Sequence, residues 1–178
     1  MFISFEGIDG SGKSTQARLL AEALRAEGRE VVLTREPGGS AGAEDIRRLL
    51  VEGPPDRWSP ETELLLFTAA RRDHLERLIR PALDRGAWVV SDRFADSTRV
   101  YQGAARGDDP TEQARFAELV EALHRLVIGV EPDRTLVIDL DPAEALARAA
   151  GRAGHSVLGP EDRYESMGLG FQQRLREG

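Results

Sequence analysis

The chain has 178 residues, of which 40% are hydrophobic and 31% charged, with a formal net charge of −7 and no cysteine. This length fits one domain of ordinary size. So acidic a chain is a poor candidate for nucleic-acid binding, which needs a basic face. The lack of cysteine excludes disulfides and thiolate chemistry. There is no apolar run of membrane-spanning length and no signal-peptide pattern, so we expect a cytoplasmic protein without membrane or nucleic-acid partners.

Short apolar runs alternate with amphipathic segments along the chain. The runs do not alternate between apolar and polar residues, so each predicts a strand buried on both faces. The order is strand Phe2–Phe5, helix Lys13–Gly28, strand Val31–Leu33, loops Pro37–Gly42 and Gly53–Pro55, helix from Pro60 to about Arg80, strand Ala87–Val90, loop Gly103–Pro110, helix Thr111–Leu126, strand Thr135–Leu140, helix Pro142–Ala150 and loop Gly151–Pro160. Strands that alternate with helices indicate a doubly wound parallel α/β sheet.

Charged residues follow the predicted strands. Glu6 directly follows the first run, Arg35 and Asp92 follow the second and third runs after one further residue, and Asp139 lies within the fourth. Ligands of open α/β sheets bind beyond the carboxyl ends of the strands. A site is therefore predicted at that edge.

The stretch GIDGSGKSTQ begins at Gly7 and fits the phosphate-loop pattern G-x-x-x-x-G-K-[ST]. Its glycines let backbone N–H groups curl around phosphate oxygens, and the following helix directs its N-terminus at the same anion. The alternative is a glycine-rich turn before a capped helix. The pattern is shared by GTPases, ATPases and kinases, so it predicts a nucleotide site without the reaction. Residues expected to bind ATP are Gly7, Gly10, Ser11, Gly12, Lys13, Ser14 and Thr15.

Further stretches resemble the thymidylate kinase family in their order along the chain. They are FEGIDGSGKSTQ, TREPGG, LLLFTAARRDHL, VSDRFADSTRVYQG, PDRTLVIDLDP and EDRYE. The resemblance implies a P-loop kinase fold with a five-stranded sheet and a short flexible lid. It also implies transfer of the γ-phosphate of ATP to dTMP, giving dTDP for dTTP supply and DNA synthesis, with Mg²⁺ and as a homodimer. The whole chain, 1–178, is expected to form one such domain.

The resemblance also assigns residues to the acceptor nucleotide. Phe67 and Arg71 lie four apart on a predicted helix and so share a face. Their spacing alone favours a core phenylalanine and a solvated arginine, whereas the family implies a ring that stacks on thymine and a guanidinium that bonds the base. The full set implied for dTMP is Asp9, Arg35, Glu36, Pro37, Phe67, Arg71, Arg93, Ser97, Tyr101 and Gln102.

The same resemblance implies Ser14 and Asp92 as residues that hold Mg²⁺, and Lys13, Arg93, Arg152 and Arg163 as catalytic cations. The last two belong to an expected lid over about 148–163. The three histidines form no metal or triad pattern. A general base is not required, because the attacking oxygen belongs to a phosphate that is already anionic.

Two other functions remain open from the sequence. One is another nucleoside monophosphate kinase of the same fold, with UMP or dCMP as acceptor. The other is a nucleotide-binding switch or assembly ATPase that makes no phosphorylated product. The pattern supplies only four strands, so we expect the last strand and helix of the family to be missing from these 178 residues.

Overall fold

A computed structural model describes residues 1–54, 56–104, 109–152 and 168–178. Within these ranges it has four strands: β1 Phe2–Glu6, β2 Val31–Arg35, β3 Trp88–Asp92 and β4 Arg134–Val137. All pair in parallel, in the order β2-β3-β1-β4. The α/β class and the parallel sheet are therefore confirmed.

Eight α-helical segments and three π-helical turns connect the strands of the described chain. The α-helices are α1 Lys13–Ala26, α2 Ala41–Val51, α3 Pro60–His74, α4 Arg80–Asp84, α5 Ala95–Thr98, α6 Pro110–Leu123, α7 Pro142–Arg152 and α8 Gly168–Glu177. The π-helical turns are Leu75–Ile79, Arg99–Ala104 and His124–Ile128. Among the helices described, none is both long and apolar enough to traverse a bilayer.

The core lies on both faces of the two central strands. Phe2 and Val89 pack with Leu75 and Ile79 on one face. Ile3, Phe5 and Val90 pack against α1 on the other face. Because successive residues of a strand point to opposite faces, a strand that packs on both faces needs apolar residues at consecutive positions. The predicted two-sided burial is correct for β1 and β3.

The register brings the carboxyl ends of three strands level with one another. Arg35 of β2 lies beside Asp92 of β3, and Asp92 lies beside Phe5 of β1. The segments that follow β1, β2 and β3 therefore leave the sheet at one edge. All of the site residues described below are positioned by this edge and by α3.

Two predictions about the elements were wrong. The two outer strands are not buried on both faces: β4 is exposed along its whole length, with Val137 70% exposed, and in β2 only Val31 is buried, because each lies at an edge of the described sheet. Helix α2 begins at Ala41, inside the segment predicted as a loop. Three nearby glycines suggested a longer turn, but Gly42 is accommodated in the first helical turn.

Candidate active site

The phosphate loop, residues 7–14, is shaped by glycines with left-handed backbone angles. Gly7, Gly10 and Gly12 have φ values of 136°, 84° and 105°. At Gly10 a Cβ atom would stand 2.0 Å from the carbonyl oxygen of Ala145, so no other residue fits there. The first hydrogen bond of α1 runs from Gln16 N to Gly12 O at 3.0 Å, and Gly12 offers no side-chain cap. Ser11 N donates to Ile8 O at 3.2 Å, whereas the N–H groups of residues 13–15 in the first turn of α1 have no acceptor within the helix and can bind an anion.

Lys13 lies beneath this loop. Its side chain is buried, and its Nζ donates to Ile8 O at 2.8 Å and lies 3.8 Å from Asp9 Oδ1. Burial and the neighbouring Arg93 lower the pKa of Lys13 to about 8, against the attraction of nearby carboxylates. A buried cation held beside a cluster of N–H groups is a strong site for phosphate.

Ser14 and Asp92 meet at the mouth of the loop. The Ser14 hydroxyl donates to Asp92 Oδ2, while Asp92 Oδ1 is buried without a hydrogen-bond partner among the described residues. A hydroxyl and a carboxylate are oxygen donors of the kind that Mg²⁺ prefers. The described residues contain no cluster of three or more metal-binding side chains. This fits a magnesium ion held by one or two protein oxygens and the phosphates of a nucleotide.

Arg93 occupies the centre of the site. Its backbone φ is 72°, a left-handed angle that is uncommon for a residue other than glycine. The guanidinium donates to Gly7 O at 3.1 Å, to Ser97 Oγ at 3.0 Å and to Tyr101 Oη at 3.0 Å, and it pairs with Asp9 Oδ1. It thereby connects the phosphate loop with the segment after β3.

The Asp9 carboxylate accepts hydrogen bonds from the Arg93 guanidinium and from the Tyr101 hydroxyl, which lies 3.0 Å from Oδ2. Burial by itself raises the pKa of this carboxyl. The charges of Arg93 and Lys13 outweigh burial and hold that pKa at about 2. Asp9 is therefore ionised at neutral pH.

Glu6 supports the Arg93 segment from the end of β1. Its Oε1 accepts from Phe94 N at 2.7 Å, and its Oε2 accepts from Ser97 Oγ at 2.6 Å. Burial raises the pKa of Glu6, even though Arg93 and these hydrogen bonds lower it. Glu6 fixes the backbone that follows the strained Arg93 position.

A cleft that is partly open to solvent lies next to the phosphate loop, with Asp9 belonging to both. The structure brings most of the acceptor residues predicted from the sequence together in it. Its lining includes Asp9, Glu36, Pro37, Phe67, Arg71, Arg93, Ser97, Tyr101 and Gln102.

Phe67 is half-buried and Arg71 is buried, so the alternative of a core ring and a solvated guanidinium is not what the structure shows. Arg71 Nε donates to Glu36 Oε2 at 2.6 Å, and its Nη2 donates to Phe94 O at 3.0 Å and Thr98 Oγ1 at 2.8 Å. Its Nη1 has no hydrogen bond to a described residue. Arg71 thus keeps donors that a ligand in the cleft can use.

Two of the predicted residues are engaged with protein partners. Arg35 is outside the lining of the cleft and binds both carboxylate oxygens of Glu44 at 3.2 Å, while its Nε is buried without a partner in the described chain. Gln102 Nε2 donates to Glu63 Oε1 at 3.0 Å and is almost fully buried. Gln102 therefore lines the cleft as part of its wall.

Most of the predicted lid lies outside the residues that the structure describes. Arg163 and the loop 153–160 lie in the stretch 153–167, which is not described, and Arg152 is described only by its backbone, as the last residue of α7. Arg148 pairs with Glu144 at 2.5 Å on the same helix. The roles of Arg152 and Arg163 remain predictions.

Sequence reasoning missed three residues of the site. Thr98 and Glu44 hold arginines of the set and carry no motif of their own. His74, which is fully buried, contacts Glu36. Its position three residues after Arg71 places it on the same helical face, and that spacing was the available signal.

Known proteins resemble this chain over nearly its whole length. The model of the family "Thymidylate kinase" matches residues 5–178. A thymidylate kinase of Dinoroseobacter shibae is 68% identical over 99% of this chain and 79% of its own length. One from Ruegeria pomeroyi is 64% identical over 100% of this chain and 79% of its own length.

A solved structure agrees with these relatives. The crystal structure of thymidylate kinase from Ehrlichia chaffeensis is 45% identical and superimposes with a TM-score of 0.70, covering 85% of this chain and 82% of that one. Sequence and fold point to the same group of enzymes. The chain belongs to the thymidylate kinase family.

Proposed function

We propose that this protein transfers the γ-phosphate of ATP to dTMP, giving ADP and dTDP. The single observation that carries the proposal is the shared position of Arg93. It contacts Gly7 of the phosphate loop and also lines the cleft that holds Phe67 and Arg71. A donor site and an acceptor site that meet at one arginine suit direct transfer between two phosphates.

ATP would be bound by the phosphate loop. The N–H groups in the first turn of α1 and the Lys13 ammonium, which lies against the loop at Ile8 O, would supply the donors and the positive charge that the phosphates of ATP need. Ser11 Oγ, buried without a partner among the described residues, is available to these phosphates. The residues proposed for ATP are Gly7, Gly10, Ser11, Gly12, Lys13, Ser14 and Thr15.

Mg²⁺ is proposed as the metal cofactor, held by Ser14 and Asp92. The unpartnered Asp92 Oδ1 supports this assignment, since a buried carboxylate oxygen without a partner is costly. When bound, the ion would neutralise charge on the phosphates of ATP. The side chains of Lys13 and Arg93 would add further positive charge near these phosphates.

The acceptor dTMP would lie in the cleft. The Phe67 ring offers a stacking face to the base, and the free Nη1 of Arg71 matches a carbonyl oxygen of thymine. Asp9 and Tyr101 would contact the sugar and Arg93 the phosphate; the three side chains are bonded to one another. The attacking phosphate oxygen is already anionic, so these residues position it and balance its charge without removing a proton.

The chain is further proposed to act in the cytoplasm as a homodimer without nucleic-acid partners. The family membership supports the dimer, and the net charge of −7 disfavours nucleic acid. Light scattering of the purified protein tests the dimer. A monomer at micromolar concentration would refute that part.

One assay tests the activity. The protein is supplied with ATP and Mg²⁺ and, in turn, with dTMP, UMP, dCMP and AMP, and the diphosphate product is measured. We expect dTDP to form far faster than the other products. Preference for UMP or dCMP would establish another monophosphate kinase, and ATP hydrolysis without a nucleoside diphosphate would favour a nucleotide switch or assembly ATPase.

A further inference from the structure

His74 is a buried titratable residue to which the proposed reaction gives no role. It is the last residue of α3 and is 0% exposed. Both ring nitrogens are bonded: Nδ1 to Glu36 Oε1 at 3.0 Å and Nε2 to Thr34 Oγ1 at 2.8 Å. A polar ring fully withdrawn from water and bonded at both ends fixes the distance between its partners.

The two partners of His74 belong to different parts of the site. Thr34 is on β2, which is held in the sheet by its pairing with β3. Glu36 follows β2, and its backbone N–H donates to Asp92 O at 2.9 Å. His74 therefore ties the Glu36 carboxylate to a rigid strand.

The direction of the hydrogen bonds follows from the chemistry of the partners. The nearby Arg71 and His74 hold the pKa of Glu36 below its usual value despite burial, so this carboxylate only accepts. Nδ1 therefore carries a proton that it donates to Glu36, while Nε2 bonds the Thr34 hydroxyl. The ring lies close to the backbone of Gly39, where an added Cβ atom would stand 2.4 Å from its Nε2, so glycine at this position makes room for the ring.

Glu36 passes this constraint to Arg71. One carboxylate oxygen is held by His74, and the other accepts from Arg71 Nε at 2.6 Å. With Nε and Nη2 occupied by the protein, the guanidinium plane is fixed, and Nη1 keeps its hydrogens for the cleft. The orientation of the base-binding donor thus depends on a residue that does not touch the base.

We propose that His74 is a positioning residue for base recognition, which acts through Glu36 to orient Arg71. The inference rests on the proposed function, since it presumes that Arg71 binds the thymine of dTMP. The proposal predicts an effect on the binding of dTMP but not on the binding of ATP. Loss of the His74–Glu36 bond should weaken dTMP binding and base discrimination while leaving ATP binding intact.

The test compares two substitutions that each keep one end of the ring. In His74→Asn the amide nitrogen takes the place of Nδ1 and can still donate to Glu36. In His74→Gln the amide reaches towards Thr34 and the donor to Glu36 is lost. Thr34→Val, which removes the other bond only, is the matched control.

We expect His74→Gln to raise the KM for dTMP about tenfold, with kcat and the KM for ATP within about twofold of the unmodified enzyme. Its preference for dTMP over dCMP should fall by a similar factor, because a displaced guanidinium no longer selects a carbonyl oxygen over an amino group. His74→Asn and Thr34→Val should stay within about threefold of the unmodified enzyme in the KM for dTMP.

The proposal is overturned if the KM for dTMP follows the loss of Tm across the three variants, whichever bond each keeps. It is also overturned if His74→Gln changes nothing, or changes ATP and dTMP equally. An unmodified enzyme that does not phosphorylate dTMP would instead refute the proposed function, so the two failures are distinct.

A second measurement uses the unmodified protein and does not depend on variants that fold. The chain has three histidines, so ¹⁵N-labelled histidine spectra are simple to assign. We expect His74 to show a protonated Nδ1 whose resonance shifts on addition of dTMP. An Nε2-protonated ring that does not respond to dTMP would refute the proposal.

Discussion

Asp9 lies where the phosphate loop and the nucleoside cleft join, and both use its carboxylate. Oδ1 pairs with Arg93 and lies 3.8 Å from the Lys13 ammonium, and Oδ2 accepts from Tyr101. A carboxylate that faces two cations and a hydroxyl is more stable ionised than in water. This single residue therefore sets the charge balance of the site.

The low pKa of Asp9 predicts how stability depends on pH. Because the folded pKa is about 2, below the ordinary value of 3.8, the group stabilises the fold fully above pH 3.8. That contribution, about 2 kcal/mol, is lost as pH falls towards 2. Urea unfolding of the native protein and of Asp9→Asn between pH 2.5 and 6 measures it. The difference in unfolding free energy between the two should shrink on acidification, and a constant difference would contradict the assignment.

Lys13→Ala tests the phosphate loop. Removal of a preorganised charge from a phosphoryl-transfer site costs roughly 10²–10³-fold in kcat. The fold should survive, because the chain at this point is held by glycine geometry and by α1. Steady-state rates and thermal unfolding are measured together. A folded variant with near-normal turnover would show that the loop does not serve the reaction.

Tyr101 predicts the choice of sugar. Its ring lies beside Arg93, with the centroid 5.0 Å from the guanidinium carbon, and its hydroxyl bonds Asp9. If it fills the space next to C2′, a ribonucleotide leaves a buried hydroxyl clashing or unpaired, which costs ~1–3 kcal/mol, or roughly 5- to 150-fold in affinity.

Binding of dTMP and its ribose analogue to Tyr101→Ala, with Tyr101→Phe as control, tests this interpretation. We expect the alanine variant to narrow the preference for the deoxy sugar and the phenylalanine variant, which keeps the ring, to retain most of it. ATP affinity should hardly change in either. Equal use of both sugars by the unmodified enzyme would contradict the assignment.

For individual residues, the sequence predicts which of them belong to the candidate site better than it predicts which of them contact one another. The phosphate loop, Phe67 and Arg71 follow from spacing and from resemblance. The network from Thr34 through His74 and Glu36 does not, because its members are brought together by the pairing of β2 with β3 and by the direction of α3. Such contacts depend on tertiary packing, which local patterns do not contain.

The elements were predictable where one physical signal dominated. Continuous apolar runs indicated β1, β2 and β3 to within two residues at each end. For β1 and β3 the reason is that a strand packed on both faces has apolar residues at consecutive positions. Helix α2 was missed because neighbouring glycines favour a turn. The three π-helical turns were missed because an i→i+5 bond leaves no periodic signature in a short segment.

Helix α3, which carries Phe67 and Arg71, begins with a side-chain cap. Ser59 Oγ accepts from Thr62 N at 3.3 Å, and Pro60 is the first helical residue. Ser59→Ala should lower the free energy of unfolding by about 1 kcal/mol. Ser59→Asp, which keeps a capping acceptor, should restore it.

Because the cap lies more than one turn away from Phe67, neither Ser59 variant should alter the KM for dTMP by more than about twofold. Denaturant unfolding and steady-state kinetics measure both effects. A large rise in the KM for dTMP without loss of stability would mean that the start of α3 touches the acceptor.

Across the whole molecule, the sheet places the phosphate loop and the cleft next to each other. The strand order could not be derived from alternation alone, because alternation fixes parallel pairing but not which strands are neighbours. The exposure of β4 has the same origin, since it depends on position in the sheet and not on composition. This strand order places the segments that follow β1 and β3 side by side, and Arg93 bridges them.

If ATP binds at the phosphate loop and dTMP binds in the cleft, each ligand should stabilise the fold on its own. At 100 times its Kd, either dTMP or ATP should raise the free energy of unfolding by about 2.7 kcal/mol. Phe67→Ala should lose most of the dTMP increment at that same concentration and keep the ATP increment, whereas Lys13→Ala should do the reverse. Arg18→Ala, at a side chain that is 53% exposed on α1, is the control and should keep both increments. Unfolding is followed in urea at fixed ligand concentrations, and increments that fall together in both site variants would mean that the nucleotides share one site, contrary to the proposal.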